Sequence, residues 1–142
     1  MRAMRIQNWV YRFFLILFVG VFFISCKNDD GEDSNPMTDH SIDVVLGTFK
    51  GTLNSGGQDY FNAIVMVSKV DDSHVKVQAK TNESYSFVTT KTLTAVNTQG
   101  VGVVGNNNEG SIDYLISTKA LMVSTQKTSE TDKIYLFQGT KQ

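Results

Sequence analysis

"HVKVQAK" (His74–Lys80) sets Val75, Val77 and Ala79 on one side of the chain and His74, Lys76, Gln78 and Lys80 on the other. A period of two marks a strand with one face buried and one in water. "SIDYLIS" (Ser111–Ser117) repeats the pattern, with Ile112, Tyr114 and Ile116 against Ser111, Asp113 and Ser117. "KIYLFQG" (Lys133–Gly139) alternates Ile134 and Leu136 with Tyr135 and Phe137. "YFNAIVMVSKV" (Tyr60–Val70) is more continuously apolar, which predicts a strand covered on both faces. Turn signals separate the runs: "NSGGQ" from Asn54, "DDS" from Asp71, "NES" from Asn82, "GNNNEG" from Gly105, "STK" from Ser117 and "KTSETD" from Lys127.

These runs predict about eight strands near 46–53, 60–69, 74–80, 85–90, 92–97, 100–104, 111–117 and 119–125, with a ninth at 133–139. The 85–97 region reads equally as one long bent strand. No stretch carries a sustained helical period, so a parallel sheet with crossover helices is not expected. Short connections give an antiparallel meander. A meander of this size closes into a small up-and-down barrel or folds into a β-sandwich; the barrel is the prediction, because closure removes exposed strand edges.

The first 25 residues are of another kind. "MRAMRIQNWVYR" is cationic, "FFLILFVGVFFI" (Phe13–Ile24) is an uncharged apolar run, and Ser25 precedes Cys26, the chain's single cysteine. The run fits the ~7–15 residues of a secretory signal and falls short of the ~20 of a spanning helix. From Cys26 to Asp43 the chain turns acidic and poor in large apolar residues, which predicts a flexible tether ahead of a β domain at 44–142. An uncleaved helix over 9–25 is the competing reading, and Arg12 interrupts it.

In this order of parts the segment resembles a bacterial lipoprotein signal, whose peptidase cuts before a diacylglyceryl-modified cysteine. Phe23 and Ile24 stand where that pattern usually has leucine and a small residue, a departure that fits the relaxed form found in Bacteroidota. The resemblance implies lipidation at Cys26 and attachment to the outer membrane through acyl chains, two of which suffice for stable anchoring. Lys27, Asp29 and Asp30 are similar to the acidic export signal that carries such lipoproteins to the cell surface; a periplasm-facing anchor is the alternative. "LGTFKGTLN" (Leu46–Asn54) and "KIYLFQGTK" (Lys133–Lys141) resemble the opening and closing strands of calycin-like, and so lipocalin-like, β-barrel domains of Bacteroidota lipoproteins. That resemblance carries a fold and no ligand.

The formal net charge of −1 averages two unlike parts. All three arginines precede Cys26, and the chain beyond it has ten lysines against 14 carboxylates. A chain that is acidic and free of arginine beyond Cys26 is a poor partner for phosphate, so nucleic acid is not an expected partner. One cysteine excludes an internal disulfide and a four-cysteine zinc site. The acidic tether lacks the ordered ligand positions of a calcium loop. His40 lies in the tether, and His74 starts a strand beside Asp71 and Asp72, where a hydrolytic triad would still need a fixed third partner. The carboxylates of the domain fall in turns except Asp113, which sits mid-strand on the polar face. "GVGVVG" (Gly100–Gly105) superficially resembles a dinucleotide loop, but no helix follows; it is read as a bend or a close backbone approach.

The expectation is therefore a non-enzymatic envelope barrel without metal or cofactor. It would bind a small apolar or glycan ligand or, alternatively, act on another envelope or host protein through its loops with no internal pocket. Expected contacts are Asp113, Tyr114, Asn106, Asn107 and Asn108, and several aromatics would serve as a glycan platform if they share an exposed patch.

Overall fold

Alternation along each run becomes an inside and an outside. The computed structural model describes residues 41–142, so Cys26, Lys27, Asp29, Asp30 and His40 lie outside the described residues. Nine strands follow in sequence: β1 (Gly47–Ser55), β2 (Gln58–Asp71), β3 (His74–Ala79), β4 (Lys91–Thr94), β5 (Val96–Asn97), β6 (Gly102–Asn107), β7 (Gly110–Leu115), β8 (Ala120–Thr125) and β9 (Leu136–Lys141). All neighbours pair antiparallel in one sheet of order β4-β3-β2-β1-β9-β8-β7-β6-β5. The two edge strands, β4 and β5, are consecutive pieces of one chain hinged at Ala95. The edges therefore meet, and the meander is nearly closed into a barrel, with eight strands when β4 and β5 are counted as one bent strand.

The inward set is the one the alternation marks. Phe49, Leu53, Val65, Val75, Val77, Leu93, Val103, Val123 and Phe137 are completely buried, and Tyr114 stands edge-on to Phe49 with ring centroids 5.7 Å apart. Each large apolar side chain so enclosed stabilises the fold by about 1.5–3 kcal/mol before entropy is counted. An eight-stranded barrel is just wide enough for such side chains to fill. Gly51, opposite Gly139 on β9, lets β1 and β9 approach closely, since a Cβ there would overlap the Gln138 backbone. Gly105 does the same at the seam, where the Thr94 carbonyl takes the place a side chain would need. This is the close backbone approach read from "GVGVVG".

Three details differ from the sequence reading. Residues 85–90 are turns rather than a strand; Tyr85 and Val88 are buried there, and the Tyr85 hydroxyl accepts the Ile64 amide at 2.8 Å where β2 has run past the end of β3. β2 is covered on one face only: Ala63, Val65 and Val67 point inward, while Met66 and Ser68 are exposed. The packed domain also begins before Val44. A turn of 3-10 helix (Ile42–Val45), capped by Ser41 Oγ accepting the Asp43 amide, buries Ile42 and Val45.

Candidate binding surface

Large apolar side chains point into the barrel, and the grooves lined by Asp113 lie on its outer face. Cross-strand register lines up Val104 (β6), Asp113 (β7), Met122 (β8), Gln138 (β9), Thr52 (β1) and Phe61 (β2) in one outward row. On β6 to β9 this wall is low in charge. Val104, Leu115, Met122 and Leu136 are exposed on it, and Asp113 alone among its outward positions is ionisable. Shallow grooves run on either side of the Asp113–Met122 pair, one past Leu115 and Ala120, the other past Val104 and Asn106. The outward side of β2 and β3 contrasts with it, carrying Asp71, His74 and Lys76.

The expected contact residues divide accordingly. Asp113 and Asn106 share a groove on the wall. Tyr114 is corrected: it is 3% exposed and points into the core, because it follows Asp113 by one residue on a strand of period two. Burial raises its phenol pKa. Asn107 is also committed elsewhere. Its Nδ2 donates to the Thr92 carbonyl at 2.9 Å and its Oδ1 accepts the Glu109 amide, while Glu109 Oε2 accepts the Thr92 amide at 2.8 Å. "GNNNEG" is thus the last residues of β6 and a two-residue turn, with Asn108 exposed at its tip, and it clasps the seam rather than forming a free loop.

The His74 cluster is a turn cap. Asp71 Oδ1 accepts from the Ser73 amide (2.8 Å), from Ser73 Oγ (3.0 Å) and from His74 Nδ1 (2.9 Å). Ser73 Oγ and Asp71 both sit on the same ring nitrogen, Nδ1, whereas a proton relay needs its serine and carboxylate on opposite nitrogens. The Ser73 amide first, and His74 second, hold the Asp71 carboxyl down at about 2.

Other turn carboxylates are likewise tied. Asp132 receives the ammonium of Lys91 at 2.6 Å, together with the Thr128 amide and hydroxyl. Lys91 faces inward at the end of β4 and is 2% exposed; this buried pair, which pins the 126–134 loop over the barrel end, has no local sequence signal. Among the described residues no three of His, Cys, Asp and Glu are grouped as a metal site would need.

The aromatics do not form one platform. Phe49, Tyr85, Tyr114, Tyr135 and Phe137 are buried. Tyr60 is half-buried against Tyr85 and Phe87, and Phe61 is 73% exposed. Comparison of the chain with protein-family models, with curated proteins and with solved structures returned no match.

Proposed function

We propose that this chain is a lipid-anchored module of the cell envelope, held through Cys26, that recognises another protein across the outer wall of β6 to β9. The observation that carries the reading is the wall itself: Val104, Leu115, Met122 and Leu136 exposed around one carboxylate, Asp113, which makes no side-chain hydrogen bond or ion pair among the described residues. Contiguous apolar surface on a soluble domain marks an interaction site. A lone carboxylate at its centre selects a partner that brings a lysine or arginine into an otherwise apolar contact. The large side chains buried inside the barrel, Phe49, Leu53, Leu93 and Phe137, favour this outer surface over a ligand held within it.

The test is a photo-crosslinking residue placed at Met122 or, as control, at Lys76 in intact cells. A discrete protein adduct from Met122 alone, abolished by Asp113→Arg, supports the reading. Equal labelling from both positions, or a small molecule retained inside the barrel in native mass spectrometry, counts against it. For the anchor, Cys26→Ala is expected to leave the chain unlipidated and out of the membrane fraction; a variant that stays membrane-bound points to an uncleaved helix instead. Protease shaving of intact cells distinguishes surface display from a periplasm-facing domain.

A further inference from the structure

A bulge in β2 breaks the alternation at the most exposed aromatic of the domain. The β1–β2 register runs Gly51↔Ala63 and then Thr52↔Phe61, which leaves Asn62 unpaired with φ +57°. In a regular strand successive side chains take opposite faces; here Phe61 and Asn62 are both exposed. Asparagine is among the few residues that adopt this left-handed conformation readily. The bulge therefore presents an aromatic face and a carboxamide side by side.

Beside them lies a groove of about 600 Å³ between β1–β2 and the 80–85 turn, lined by Tyr60, Phe61 and Asn62 with Lys50, Asp59 and Glu83. Its walls are braced. Tyr60 is held by Tyr85 and Phe87 at ring separations of 5.9 and 6.1 Å. Asn54 Nδ2 donates to Asp59 Oδ1 at 2.7 Å, and Lys80 pairs with Glu83 at 2.9 Å. The side chains of Lys50 and Asn62 make no hydrogen bond or ion pair among the described residues. Two lysines, Lys50 and Lys80, face two carboxylates, Asp59 and Glu83, so the groove has no net formal charge to be met by an ionic ligand.

An apolar ring face next to planar oxygen and nitrogen groups suits a molecule with one apolar face and a rim of hydroxyls. We infer that the groove over the Phe61–Asn62 bulge binds a neutral carbohydrate, with a sugar ring laid on Phe61 and its hydroxyls meeting Asn62, Asp59 and Lys50. This site is on different strands from the protein-docking wall and does not depend on it.

The test uses the full chain, in a detergent without a sugar headgroup, titrated calorimetrically with neutral oligosaccharides of gluco, galacto and manno configuration and with a uronic-acid oligosaccharide. At least one neutral series is expected to bind. Phe61→Ala should weaken it about tenfold or more, since the ring is the main apolar area available to the sugar. Asn62→Gly keeps the left-handed backbone, removes the carboxamide, and should also weaken binding; Met122→Ser should leave it unchanged. No binding by any neutral series, preference for the uronic-acid oligomer, or full affinity in Phe61→Ala would each overturn the proposal.

Discussion

Thr92 and Glu109 are joined across the barrel seam by a 2.8 Å hydrogen bond from a backbone amide to a carboxylate oxygen. With Asn107 holding the Thr92 carbonyl at 2.9 Å, two side chains stand in for the ladder that β4 and β6 do not form. Glu109→Ala leaves the Thr92 amide without its acceptor and should cost about 1–3 kcal/mol. Hydrogen exchange at Thr92 should accelerate more than at Val65, deep in β2. A uniform acceleration would mean that the seam opens only with global unfolding.

Tyr135 offers the opposite sign. It is 4% exposed, its hydroxyl makes no hydrogen bond among the described residues, and burial pushes its phenol pKa far up. Tyr135→Phe removes the unsatisfied group and keeps the ring, so thermal stability should rise by about 1 kcal/mol. A loss of stability would show that the hydroxyl has a partner.

Lys91 and Asp132 distinguish charge from packing. Lys91→Ala leaves a void and strips Asp132 of its counter-ion, whereas Lys91→Met keeps most of the apolar stem. The melting temperature should fall further for alanine than for methionine. Equal falls would make the ion pair, rather than the stem, the stabilising element.

Acid should weaken the domain in a defined window. The carboxyl of Asp71 is lowered to about 2, and that of Asp132 is held well below the carboxylate range by Lys91 and then by the Thr128 amide. Groups with depressed folded-state pKa values contribute stability that is complete above their unfolded value near 4 and lost as pH falls through the folded one. Melting temperature should therefore be steady above about pH 5 and decline below about pH 4. Asp71→Asn and Asp132→Asn should each flatten the decline; unchanged slopes would assign acid sensitivity to other groups.

How much of this was legible beforehand depends on the range of the interaction. Period two alone puts the valines of β3 on one face, Asp113 opposite Tyr114, and Tyr135 and Phe137 opposite Ile134 and Leu136; which of the faces is the interior comes from closure of the sheet. The long bent strand that 85–97 also suggests is confined to β4 and β5, and nothing local marks its bend at Ala95. The bulge at Asn62 was hidden because Tyr60 to Val67 is nearly all apolar, which blurs the phase. Glu109 and Asp132 looked like ordinary turn carboxylates, since Thr92 and Lys91, which they serve, lie far away in sequence. Tyr114 shows why a promising residue type is not enough: its neighbour Asp113 already decides which way it points.

The strand order also sets a timetable. β1 pairs with its immediate successor, β2, but also with β9, the last strand of the chain. The Gln142 amide reaches the Thr48 carbonyl, and Lys141 Nζ reaches the Val44 carbonyl. Hairpins β1–β2–β3 and β6–β7–β8 can zip from local contacts, whereas ring closure requires the C-terminal residues to meet the start of the domain. A chain emerging N-terminus first cannot complete its barrel until Leu136–Lys141 have been made and delivered, so the first strand waits for β9 with one edge unpaired.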